Sequence, residues 1–360
     1  MRATLDAQLF CAALEKASKA CARRSFVPAL EQVKLDFQPG TCRMTATDME
    51  LWITAQCPSE GDSFSVVLGN TKDVLKASKS FSGELTVEAE GGQPGKIHFS
   101  TATRTLCQGT TPLGDFPEET DHVFEWEYPD VDAAKLYGRF EKIKHAVSTN
   151  KSRPAITGIQ FNHSRVLAVD GYRAAVNTDH TFNVDRPFTA PVGAMKLLTL
   201  FKGKPVTLKV GSLFGAFEAE GLSLRFHLID FDAFNFDAAL PTKFEDEYAV
   251  DVKEFTDALR YLDKLVKPHQ RAIRFDGGNL STVDGALSAQ VAVSGEANIV
   301  FGFNVQFMLD ALGQFQDVDT VKLQIMSPSS IIVLTAAEEN GDGDVALVVP
   351  CKLKSAATAA

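Results

Sequence analysis

The chain has 360 residues and a mass of 39.1 kDa, more than one compact core holds, so its length predicts two or three domains. A hydrophobic fraction of 45% with 23% charged residues is that of a soluble globular protein. It excludes disordered, collagen-like and coiled-coil chains, and no apolar run approaches the roughly 18 residues of a membrane-spanning helix. A formal charge of −10 at pH 7 and a pI of about 5.3 argue against a nucleic-acid partner only if the cations are evenly spread, so their placement decides.

The opening stretch MRATLDAQLFCAALEK carries Asp6 and Glu15 and no small-residue cleavage site. That is not a secretory pattern, and the expected location is the cytoplasm. A helix is predicted over LDAQLFCAALEKASKACARR, then strands over VKLDF and CRMTATDMELWITAQC, a second helix over TKDVLKASKSF, and strands over ELTVEAE and KIHFSTA. The order then recurs. YPDVDAAKLYGRFEKIKHAVS is helical, with Leu136, Phe140, Ile143 and Val147 on one stripe. GIQFN and VLAVDGYRAAV follow as strands, VGAMKLLTLFKG as a helix, then VTLKVG, GAFEAE and LSLRFHL. The third copy opens with YAVDVKEFTDALRYLDKLVK, its stripe being Phe255, Leu259, Leu262 and Leu265. AIRFD, LSTVDGALSAQVAV, the helix FNVQFMLDALGQF and the strands TVKLQIM, IIVLTAA and VALVVPC complete it.

The breaks fall at the acidic, proline-marked DFPEETD and FDAALPTKFED, giving segments 1–121, 122–244 and 245–360. Helices do not alternate singly with strands as in βαβ units, so the expected class is α+β, with two helices per segment on antiparallel sheets.

Basic residues concentrate on these helices. The first carries Lys16, Lys19, Arg23 and Arg24 toward its end, and the second carries Lys72, Lys76 and Lys79 on one face. In the middle segment Lys135, Arg139 and Lys142 repeat the spacing, followed by Lys144, Lys151 and Arg153, with Lys196 and Lys202 on its second helix. The third offers Arg260, Lys264 and Lys267, while FNVQFMLDALGQF has none. No aromatics interleave with these cations, so the expected contact is with phosphates, independent of base sequence and weakened by salt.

Other constellations carry less. The cysteines (Cys11, Cys21, Cys42, Cys57, Cys107, Cys351) form no CxxC pair, the histidines no metal-ligand spacing, and buried reduced thiols are expected. Asp170 beside Arg173 could be an acid with a substrate-orienting base, but an Asp recurs at Asp48 and Asp284, which favours a shared turn. EENGDGD lacks the spaced ligands of a calcium loop and reads as a hairpin. Gly91-Gly92 and Gly277-Gly278 read as turns, Trp52 and Trp126 as packing. Two other classes stay open: an enzyme with its active site at a domain junction, for which no nucleophile–base set is evident, and a β-rich binding protein.

Taken in order, VPALEQVKLDF, MTATDMELWI, DFPEE, RPAITGIQF, LAVDGYRAAV, GFNVQFMLDAL and VALVVPCKL make the chain similar to the bacterial sliding clamp, the beta subunit of DNA polymerase III. The resemblance runs from the first helix to Leu353 and implies a head-to-tail homodimeric ring with three domains per subunit, helices lining a hole around duplex DNA. It implies a non-catalytic tether for polymerase, clamp loader and repair proteins, with no cofactor and no metal.

Carried over by matching motif, the family's peptide pocket comprises Ile156, Val169, Gly171, Tyr172, Arg173 and Ala174, with Phe234, Ala238 and Ala239 from the linker. Asn304, Phe307, Pro328 and Ser330 join it, with Val348, Val349, Pro350, Cys351, Lys352 and Leu353. Tyr172 stands where the family commonly has histidine, Ala174 where a larger aliphatic is usual and Lys352 where arginine is frequent; the chain runs on past Leu353 as KSAATAA. The DNA contacts implied are Arg24 and the loop Asn150, Lys151, Ser152 and Arg153, beside the helix cations Lys72, Lys76, Lys79, Lys135, Arg139 and Lys196. Leu106 and Leu265 fall at the family's subunit contact, which should bury on the order of 1,200–2,000 Å².

Overall fold

The computed structural model describes residues 1–90, 95–120, 122–230, 234–267, 271–283, 288–294, 298–337 and 343–353. Asp121, Asp284, Gly91, Gly92, residues 338–342 and the tail after Leu353 therefore lie outside the described residues. All strand pairings among the described residues are antiparallel, as expected of the α+β class. No helix among the described residues is long and apolar enough to cross a membrane.

A strand running straight into a helix recurs: Arg2–Asp6 into Ala7–Ala17, Trp126–Val131 into Ala133–Ile143, and Asp246–Asp251 into Val252–Asp263. Each junction uses the same chemistry. Asp6 accepts from Gln8 N and Leu9 N at 2.8 and 2.9 Å, Asp132 from Ala134 N and Lys135 N at 2.9 and 3.0 Å, and Asp251 from Glu254 N at 2.7 Å. A carboxylate cap satisfies otherwise orphaned amides and complements the positive helix end, each worth about 1 kcal/mol. Later helices start on amide caps, Asn70 before Thr71–Ser78 and Asn304 before Val305–Gly313.

Compactness divides the chain differently from its repeats. One unit is Met1–Tyr137 with Gly193–Leu228, the other Gly138–Val192 with Ile229–Ala360. The cause is strand pairing. In the first unit Leu51–Gly61 pairs with Leu222–His227, so the strands Leu222–His227, Phe214–Ala219, Val206–Val210 and Trp126–Val131 extend one twelve-stranded sheet. Strand Arg2–Asp6 also pairs with Leu51–Gly61, closing the first eight strands on themselves. In the second unit Arg173–Thr178 pairs with Asp344–Val348 inside an eight-stranded sheet, and a five-stranded sheet ends in Phe301–Asn304 and Pro350–Cys351. The middle segment thus gives its strands to two different sheets.

Cores follow the sequence periods. Along Val252–Asp263 the buried residues include Phe255, Leu259 and Leu262, and Tyr248, Phe255, Phe275 and Phe301 interlock with ring centroids 5.4–6.1 Å apart. The linker after the first segment is pinned: Phe116 meets Trp52 edge-on at 6.4 Å, and Arg225 lies over Trp52 while pairing with Glu119 at 3.1 Å. Trp52 is core packing, as expected.

Candidate functional site

In the second unit the loop Val169-Asp170-Gly171-Tyr172-Arg173 is fixed from within. Asp170 Oδ1 accepts from Tyr172 N at 2.8 Å and Arg173 N at 3.0 Å. Asp48 does the same for Glu50 N and Leu51 N, so the shared Asp is a turn former at both described positions. Gly171 sits at φ +92°, a conformation that disfavours a side chain. Arg173 donates from Nε to Asp170 Oδ2 at 2.9 Å, pairs with Asp310, and lays its guanidinium over the Phe307 ring at 4.6 Å. Tyr172, 63% exposed, stacks on Phe307 with centroids 6.2 Å apart.

Beneath this loop one apolar cluster gathers Val169 and Ala174 with Leu167, Val176, Phe236, Val333 and Leu347, and Ile156, Phe234, Ala239 and Leu240 pack against it. Cross-strand register explains it: Ala174 lies opposite Leu347 and Val333 opposite Leu347, on one sheet face. Ala238 is exposed, its N–H donating to the Asn235 cap.

Val348 lies opposite Arg173, and Val349 N donates to Tyr172 O at 2.9 Å, so the C-terminal segment runs along the loop. Pro350 and Cys351 then pair with Phe303 and Gly302, and burial raises the Cys351 thiol pKa. A Cβ on Gly302 would stand 2.6 Å from Leu353 Cδ2 and 3.0 Å from Cys351 O, so a side chain there would displace that leucine's methyl. Asn304 caps the helix bearing Phe307, while Ser330 Oγ accepts from Ser327 N at 2.8 Å in a turn that leaves Pro328 exposed. Lys352 is exposed.

Under the loop lies His145, whose Nδ1 donates to Lys142 O at 3.0 Å. Burial, then the Arg173 charge, pushes its pKa down to about 4 against the opposing pull of Asp310 and Asp170.

The predicted phosphate contacts divide sharply. Arg24, Lys72, Lys76, Lys79, Lys135, Asn150, Lys151, Arg153 and Lys196 are exposed. Residues 150–153 form a tight turn, Arg153 N donating to Asn150 O and Ser152 N to Asn150 Oδ1, both at 3.0 Å; Arg153 reaches toward Gly171.

Arg139 must be struck from the DNA contacts. It is 5% exposed, donating from Nε to Asn177 Oδ1 at 2.6 Å and from Nη2 to Ser164 O and Asn177 O at 2.7 and 2.9 Å. Its helix turns that position inward. Lys142 is likewise engaged, 3.0 Å from both Asp317 and Asp344, and those hydrogen bonds hold its pKa above the usual lysine value despite burial.

Leu106 is half-buried in the strand Thr105–Thr111, which pairs fully with Lys96–Ser100 but reaches Phe64–Leu68 only through Thr110 and Thr111. That leaves residues 105–107 an edge open to addition of a strand, since Gly109 is backed by Gly69 and Gln108 Oε1 accepts from Asn70 N. In the other unit Leu265 is half-buried just past its helix, its N–H on Leu262 O.

A beta sliding clamp from Vibrio cholerae is 24% identical over 377 residues, covering 98% of this chain and all of its own. The crystal structure of the DNA polymerase III subunit beta from Pseudomonas aeruginosa superposes with a TM-score of 0.86 at 17% identity, over 98% of this chain and 100% of that one. This is the beta-clamp fold. A sliding clamp from Bartonella birtlesii, solved bound to griselimycin, shares it at TM-score 0.84, 19% identity and the same coverage. No family model matches the chain. The resemblance to the beta clamps is thus full-length, in sequence order and in fold.

Of the apolar cluster beneath the loop, Leu167, Val176, Phe236, Leu240, Val333 and Leu347 were not among the residues expected from the sequence. Period-2 spacing from Val169 and Ala174 was the available signal for Leu167 and Val176.

Proposed function

We propose that this protein is a DNA sliding clamp: a non-catalytic cytoplasmic processivity factor that closes as a head-to-tail homodimer around duplex DNA. Its three domains are 1–121, 122–244 and 245–360, joined through the continuous sheets described above. The open edge at Leu106 and the region of Leu265 are the surfaces that meet across subunits, where edge pairing satisfies exposed backbone groups. Arg24, Lys72, Lys76, Lys79, Lys135, Asn150, Lys151, Arg153 and Lys196 attract phosphates without reading bases. On a molecule of net charge −10 such exposed cations carry the attraction, while the anionic remainder repels the polyanion.

The pocket around Val169–Ala174 and Val348–Leu353 takes a short hydrophobic peptide from polymerase or clamp loader. Apolar walls fixed by a polar loop suit such a ligand, and the griselimycin-bound relative supports a ligand site on this fold. The observation that carries the reading is the full-length fold match. After loading, the protein is expected to stay on closed circular DNA through gel filtration and to leave once the circle is cut. Equal retention on circular and linear DNA would show ordinary binding instead of encirclement.

A further inference from the structure

Residues 21–28 join the end of the first helix to the short turn Pro28–Glu31, and their backbone is tied down. Ala22 N donates to Leu30 O at 2.8 Å, Ser25 N to Glu31 Oε1 at 2.9 Å and Val27 N to Ser25 Oγ at 3.1 Å. The helix Thr71–Ser78 is stitched to the same place: Thr71 N donates to Gln32 Oε1 at 2.7 Å, and its Oγ1 accepts from Val33 N at 2.9 Å. On this fixed frame Phe26 is 108% exposed, as open as the ring can be, and Val27 is 44% exposed.

Arg23 and Arg24 precede it in the same loop and are exposed, as are Lys19 and Lys72 on the two adjoining helical segments. Burial pushes the Cys21 thiol up to about 12 against the pull of Lys72, which sets that ammonium beside the loop. Glu31 is engaged by the Ser25 amide. A lone exposed apolar side chain is ordinary. An exposed aromatic on a tied-down loop that also carries two exposed arginines suits a polyanion that has flat apolar faces, and nucleic-acid bases on their phosphate chain are that partner.

We propose that Phe26, flanked by Arg23 and Arg24, is a stacking platform for an unpaired DNA base, the arginines holding the adjoining phosphates. Bases in a duplex already cover one another, so the ring accepts a base only where a single strand begins. The inference rests on the DNA-binding reading above and adds the strand form recognised.

The test is fluorescence-anisotropy titration of the full chain with oligothymidylate and with a duplex, for wild type, Phe26→Ala and Phe26→Trp. Phe26→Ala should weaken single-strand binding about ten-fold and leave duplex binding within about two-fold. Phe26→Trp should retain affinity, its emission quenched by the single strand beyond any change from Trp52 and Trp126. Single-strand affinity unchanged in Phe26→Ala, or equal losses on both DNAs, overturns the platform. So does loss of a polymerase or loader peptide with both DNA affinities intact, which assigns Phe26 to a protein partner. A wild type that holds the single strand through Phe26 but ignores duplex supports the platform and overturns the duplex reading.

Discussion

Arg173 and Arg24 sit in ordered loops with opposite surroundings. Arg173 is 14% exposed along its side chain, paired to Asp170 and Asp310 and laid on Phe307. Arg24 is exposed, and among the described residues its guanidinium has no ion pair or hydrogen bond. A pocket that takes one peptide geometry gains from groups already locked by internal bonds, because little freedom is then lost on binding. A surface that must release and regain phosphates as DNA slides gains from cations left in water, whose attraction is weak and exchangeable. Internal satisfaction therefore sets Arg173 and Arg139 apart from Arg24 and Lys151.

The largest test of that division is Arg139. Arg139→Ala leaves the Asn177 and Ser164 oxygens it serves, and the nearby Asp179 carboxylate, without its guanidinium, and should cost about 3–5 kcal/mol in urea unfolding. The folded remainder should bind duplex with unchanged salt dependence. Intact stability with lost DNA affinity would mean that burial does not sort these cations.

His145 sharpens the comparison from the side of Arg173. The unfolded chain takes up a proton near pH 6.5 that the folded chain refuses until about pH 4, since burial and Arg173 disfavour the imidazolium. Its contribution is complete above pH 6.5 and falls as pH drops toward 4, by about 3 kcal/mol over the window. His145→Gln should remove that part of the slope in chemical unfolding followed from pH 7 to pH 4. An unaltered slope would assign the acid sensitivity to other groups.

Much of the fold was legible. Apolar stripes gave the helices, and alternation gave most strands, because burial imposes both periods. The strand before the first helix was not, since RATLD buries only Ala3 and Leu5, too few for a pattern. The middle segment's second helix is a five-residue turn, Val192–Lys196, that tightens into 3-10 over Leu197–Phe201, a change that the apolar run VGAMKLLTLF does not reveal. Arg139 was misread through its charge: it stands three residues after buried Leu136 and four before buried Ile143, so spacing alone places it inward. Phe26 was illegible, because nothing local marks an apolar loop residue as exposed.

The smallest expected effect on stability, and the most direct on function, belongs to the unpaired loop cations. Arg24→Ala with Lys151→Ala removes two exposed side chains that have no internal partner among the described residues, so unfolding should shift by less than about 0.5 kcal/mol. Every phosphate left without its cation should reduce the slope of log affinity against log salt by roughly 0.9, so the pair should flatten it by about 2 for duplex of any sequence. A flatter slope at unchanged stability is the signature of groups that touch only water and phosphate. An unchanged slope would remove Arg24 and Lys151 from the DNA surface, leaving Arg153 and the helix cations Lys72, Lys76, Lys79, Lys135 and Lys196 to supply the attraction.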